Sequence, residues 1–167
     1  FINYYLSVAQ ETAKLSYAVR LKVGAIIVKD DSIISYGYNG TPANFDNVCE
    51  DREYMDPLLY KIMPEDAIAE IYPLIDYDKT FNENVRYKLK TKPEVLHAES
   101  NAIAKLAKST SSGVDATLFL THCPCLDCAK LIYQSGIGHV YYKHNYRSND
   151  GIDFLNKANV PVTQVQD

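Results

Sequence analysis

The chain has no tryptophan, two methionines and four cysteines among 167 residues, and it lacks any apolar run near the 18 or so residues of a bilayer-spanning helix. Each shortage excludes something. A membrane-spanning helix is ruled out by the missing apolar run. The opening Phe1-Ile2-Asn3-Tyr4 carries no basic stretch ahead of an apolar one, so no signal peptide is expected. There is no basic excess: 17 Lys and Arg stand against 21 Asp and Glu, giving a net charge of -4 and a pI near 5.5. Long nucleic acid needs a basic footprint, so such a partner is not expected. A small anionic ligand held by a few local cations stays open. Four cysteines make a poor disulfide framework, because Cys123, Cys125 and Cys128 crowd together. That crowding suits metal ligation in a reducing, cytoplasmic compartment.

The length fits one compact domain over residues 1–167, and the 47% hydrophobic and 23% charged content is ordinary for a globular protein. Ile2, Leu6, Ala9 and Ala13 recur at helical spacing over residues 1–19. Residues 23–28 and 32–36 read as two strands of a hairpin, turning at Lys29-Asp30-Asp31. Residues 51–93 differ in character, with Pro57, Pro64, Pro73 and Pro93 between short helical patterns. They read as an insertion of two helices packed on the domain at a subunit interface. Beyond it, helices are expected at 97–108, 124–135 and 150–158, and strands at 116–121, 139–143 and 160–165. Alternating strands and helices imply crossover connections and some parallel pairing, an α/β fold.

Two short motifs carry chemistry: His97-Ala98-Glu99 and Pro124-Cys125-Leu126-Asp127-Cys128. Two thiolates three apart in a first helical turn can grip one ion, and a helix N-terminus favours their anionic form. His97, at another helix start, supplies a third ligand. Three protein ligands leave a tetrahedral zinc ion one open position, the mark of a catalytic site. Residues i and i+2 diverge in mid-helix, so His97 and Glu99 converge only if they sit at a helix end. Both helices are therefore expected to point their N-termini at the metal. Glu99 is then the proton carrier. A Cys-x-x-Cys pair alone is more often structural or redox, and His-x-Glu alone means little. Joined in this order they match the signature of zinc nucleobase deaminases. Cys123 is expected to cap the second helix, and His139 and His144 to be strand-end residues.

The sequence resembles the deoxycytidylate (dCMP) deaminases over most of its length outside residues 51–93. The resemblance rests on the zinc motifs and on several further segments. These are Lys22-Val23-Gly24-Ala25-Ile26-Ile27-Val28, Gly37-Tyr38-Asn39-Gly40-Thr41-Pro42, Asn47-x-Cys49-Glu50 and Gln134-Ser135-Gly136-Ile137. It implies a three-layer α/β/α cytidine deaminase-like fold around a mixed five-stranded sheet. It implies hydrolysis of dCMP to dUMP and ammonia, supplying the thymidylate precursor, in a homohexamer activated by dCTP and inhibited by dTTP, with Mg2+ on the triphosphate. By similarity, Glu99 is catalytic and His97, Cys125 and Cys128 hold Zn2+. The Ala98 backbone holds the pyrimidine carbonyl and Asn39 the sugar hydroxyl. Arg20, Tyr146 and Arg147 serve the phosphate and the base-facing wall, and Gly37, Tyr38 and Gly40 form the effector loop.

One departure stands out. Some relatives hold a second, structural zinc with a Cys near position 49 and His residues in the insertion. Residues 51–93 contain neither His nor Cys, so one zinc per chain is expected. Two other functions compete: deamination of a free nucleoside or other nucleobase substrate, and a non-catalytic binding module stabilised by zinc.

Overall fold

The computed structural model describes residues 1–166. Along the chain it forms α1 (Ile2–Ala13), β1 (Gly24–Lys29), β2 (Ser32–Tyr38), β3 (Glu50–Tyr54), α2 (Glu65–Ile71), β4 (Leu74–Asp78), β5 (Glu83–Thr91) and α3 (Ala98–Ala107). There follow β6 (Thr117–His122), α4 (Leu126–Gln134), β7 (His139–His144), α5 (Asp150–Lys157) and β8 (Val162–Gln164).

Five strands make one sheet in the order β2-β1-β6-β7-β8. The β1 strand runs antiparallel to β2 and β6, while β6, β7 and β8 are mutually parallel. The hairpin turns at Asp30 and Asp31, whose positive φ values of 49° and 56° match the twist of a tight two-residue loop. Parallel neighbours need a crossover, and α4 and α5 supply the two in this sheet. Strand alternation divides the core. Ala25, Ile27, Leu118 and Leu120 face the layer of α3, α4 and α5; Ile26, Val28 and Phe119 face α1. The result is the expected three-layer α/β/α fold with a mixed five-stranded central sheet. Among the described residues no helix is long and apolar enough to cross a membrane.

Residues 50–91 depart from expectation. They form a second sheet, β3-β5-β4, antiparallel throughout, and only the short α2 and one turn of 3-10 helix, Pro57–Lys61, are helical. The strand signal was legible: Val85, Tyr87 and Leu89 alternate with Arg86, Lys88 and Lys90. Prolines mark boundaries here. Pro57 opens the 3-10 turn, where Asp56 caps the Leu58 N–H, and Pro73 separates α2 from β4.

Candidate active site

The site lies where β6 ends and α4 begins, outside the carboxyl end of a parallel strand, the usual place for ligands in such sheets. His97 is the N-cap of α3 and Cys125 the N-cap of α4, with Cys128 in the first turn of α4. Both helix starts thus present donors to one point. The three ligand atoms all lie within 4.8 Å of one another. Nδ1 of His97 is 3.4 Å from Cys128 Sγ and 3.6 Å from Cys125 Sγ. Zn–S and Zn–N bonds of about 2.3 and 2.0–2.1 Å at tetrahedral angles would set such N and S atoms about 3.5 Å apart. The donor set therefore fits a zinc ion.

Electrostatics at the site follow from burial and from hydrogen bonds among these groups. A hydrogen bond from Cys128, with one from His97, pulls the Cys125 thiol down to about 4. Cys128, donor in that bond and buried, is pushed up. The thiolate partner raises His97. Glu99 is only 4% exposed, and desolvation pushes its carboxyl up to about 7. A group that titrates near neutrality beside the donors is suited to accept and return a proton.

A pocket opens over this cluster. Its lining includes His97, Ala98, Glu99, Cys123 and Cys125, together with Leu21, Val23, Asn39, His122 and Tyr146, and Arg20, Glu50 and Thr91 also border it. The site residues expected from sequence distribute as follows. Arg20, Asn39, Ala98 and Tyr146 all line the pocket together with His97, Glu99 and Cys125. Arg147 is not among the lining residues; its guanidinium stacks over the Tyr146 ring at 5.5 Å. Asn39 braces the loop that carries Arg20: its Nδ2 donates to the Leu21 carbonyl and its Oδ1 accepts from the Val23 N–H, both at 2.8 Å. One N–H and one lone pair of that amide remain for another partner.

The segment 37–40 divides in its roles. Gly37 is buried in β2 against α3, and a Cβ there would sit 2.2 Å from the Ala98 carbonyl oxygen. The Tyr38 carbonyl accepts from Asn101 Nδ2, and the Lys105 ammonium lies 5.4 Å from the Tyr38 ring. Gly40 and Leu96 exchange two backbone hydrogen bonds immediately before His97. A Cβ on Gly40 would meet nothing within 4 Å.

Cys123 does not cap α4; Cys125 does. Instead Cys123 fastens the loop after β7, donating its N–H to the His144 carbonyl and accepting the Tyr146 N–H on its sulfur at 3.1 Å. His139 and His144 stand at the two ends of β7. His122, a further metal ligand by its place in the sequence, lines the pocket but is outside the donor cluster, and Glu50, in a segment that resembles the substrate and effector loop, lines it too, with Thr91. No local signal marks Thr91, whose place there depends on how the second sheet folds back.

These features suit a hydrolytic zinc site: a two-thiol, one-imidazole donor set, a buried carboxylate beside it, and a pocket over both. Residues 1–144 match the cytidine and deoxycytidylate deaminase zinc-binding region, and the chain belongs to that family. It is 35% identical to the deoxycytidylate deaminase of Enterobacteria phage T4 over 171 residues, covering 96% of this chain and 87% of the relative. The human deoxycytidylate deaminase is 32% identical over 151 residues, covering 89% of this chain and 67% of its own length. A crystal structure of the dCMP deaminase of cyanophage S-TIM5 in complex with dCMP and dUMP superposes with a TM-score of 0.73 at 37% identity, covering 98% of this chain and 95% of that one.

Proposed function

We propose that this protein hydrolyses dCMP to dUMP and ammonia. The observation that carries the reading is the buried Glu99 carboxylate beside the His97, Cys125 and Cys128 donors, at the end of a pocket bordered by Arg20. His97, Cys125 and Cys128 would hold a zinc ion, which when bound lowers the pKa of a coordinated water from 15.7 to about 7. Glu99 would take a proton from the attacking water and deliver it to the cytosine ring nitrogen as the C4–O bond forms, then move the second proton from that oxygen to the amine as the C4–N bond breaks and ammonia leaves. Ala98, first residue of α3, has a backbone N–H with no intrahelical partner by its position, which suits it to the pyrimidine carbonyl. The remaining hydrogen-bonding capacity of Asn39 suits the sugar hydroxyl. Tyr146, half-exposed and stacked with Arg147, walls the base. Arg20 takes the phosphate.

Deamination of a free nucleoside is the nearest competing reading, and Arg20 in the pocket favours the monophosphate. The test is turnover of dCMP, deoxycytidine and CMP by zinc-loaded protein, followed by loss of cytosine absorbance. Preference for dCMP supports the reading; faster turnover of deoxycytidine overturns it. By the same resemblance we extend the reading to a homohexamer controlled by dCTP and dTTP through Gly37, Tyr38 and Gly40, with Mg2+ on the triphosphate. The tight packing of Gly37 leaves Tyr38 and Gly40 as the open part of that segment. Sedimentation with and without dCTP and magnesium tests the assembly, and dCMP saturation curves test the control. Four free cysteines, three of them at the site, support a reducing, cytoplasmic location.

A further inference from the structure

We infer that Glu50 and Thr91, the pair closing the second sheet, position Arg20 for the substrate's phosphate; this rests on the monophosphate reading above. Glu50 is the first residue of β3 and Thr91 the last of β5, and the two are direct partners in the antiparallel ladder. Both border the pocket. Glu50 is buried, and its Oε1 accepts the backbone N–H groups of Val19 at 2.9 Å and Arg20 at 3.0 Å. Thr91 Oγ1 accepts from Arg20 Nη1 at 3.0 Å. One residue is therefore gripped at its main chain and at the end of its side chain by two residues that face each other across a single rung.

This grip has a physical use. Arg20 is exposed, and a solvated arginine side chain samples many rotamers that anion binding must freeze. Among the lining residues it is the one lysine or arginine. Anchoring the main chain through Glu50 and one guanidinium N–H through Thr91 restricts that freedom in advance. The other guanidinium donors remain for phosphate oxygens. Among the described residues no ion pair joins Glu50 to Arg20; the carboxylate reaches Arg20 through its backbone N–H and so leaves the guanidinium donors free of it. The second sheet thus reaches the chemistry through its terminal rung, and Glu50 and Thr91 are positioning residues.

The experiment is calorimetric titration of zinc-loaded protein with dUMP and, separately, with 2′-deoxyuridine, which lacks the phosphate. Thr91→Val removes the acceptor at nearly constant volume. It is expected to weaken dUMP about three- to tenfold, the worth of one hydrogen bond, with 2′-deoxyuridine unchanged. Thr91→Ser restores dUMP binding, and Glu50→Gln, which keeps an acceptor oxygen, holds it near wild type. For dCMP turnover the Thr91→Val effect falls on KM rather than kcat. If Thr91→Val binds dUMP as tightly as wild type, or loses both ligands equally, the inference is overturned. Arg20→Ala separates the two layers of the argument. If it leaves dUMP binding intact, the phosphate reading fails and takes the inference with it. If it weakens dUMP while Thr91→Val does not, only the positioning role is lost.

Discussion

Glu99 shows how one side chain acquires a function from its surroundings. As the second residue of α3 it is close to His97 in sequence, yet it is buried while His97 is exposed to the pocket. Desolvation holds its carboxyl near 7, where it can both take and give a proton. Glu99→Gln keeps size and polarity but cannot carry a proton. We expect kcat to fall by about 10²–10⁴ with zinc content unchanged, measured by steady-state kinetics alongside metal analysis. Loss of zinc in that variant would make Glu99 a structural partner of the donors instead. Cys128→Ala tests the proposed ligand set from the other side: zinc per chain should fall far below that of wild type by the same metal analysis, since a site with three protein ligands depends on each of them.

Elements set the donors' positions, and two glycines let the elements approach. Gly37 allows α3 to lie on β2, and Gly151 allows α5 to lie on the loop before α4, where a Cβ would be 2.1 Å from the Pro124 carbonyl oxygen. Both obstacles are backbone, so neither can turn away. Gly37→Ala should push the start of α3, with His97 and Glu99, off β2 and cost about 1–3 kcal/mol of stability, read by denaturant unfolding. Another close approach sits at the end of α4: Gly136 at φ +80° takes the left-handed position that stops the helix. Glycine just past that end is a stop signal already present in the sequence, as is the break at Asn159, which has φ 59°. The second sheet was legible too, in the alternation of Val85, Tyr87 and Leu89, but four prolines drew attention to helix breaks instead.

At the scale of the molecule, two helix starts distant in sequence bring three donors together, so a zinc ion held there would couple metal binding to the fold. Chelation of zinc should lower the unfolding midpoint, and added zinc should restore it. A ligand at 100 times its dissociation constant stabilises by about 2.7 kcal/mol, which sets the scale for the calorimetric shift. If chelation leaves the midpoint where it was, the donors do not share an ion in the folded protein. The central sheet should tolerate less. Leu120 is fully buried between the strands and the α3–α4 layer, and Leu120→Ala should cost about 2–5 kcal/mol by the same unfolding measurement.

The amino-acid sequence by itself determined the α/β framework and marked the candidate donors and the candidate proton carrier that the structure brings together. Their signals are local: His-x-Glu and Cys-x-x-Cys at helix starts, and hydrophobic periods within single segments. Only the tertiary structure decided how the pocket is finished. Asn39 stitches the loop carrying Arg20, Cys123 fastens the loop carrying Tyr146, and the rung of Glu50 and Thr91 grips Arg20 across 30 and 71 residues of chain. Hydrogen bonds of that span leave no period or spacing in a sequence, because their partners meet only after the sheets have formed.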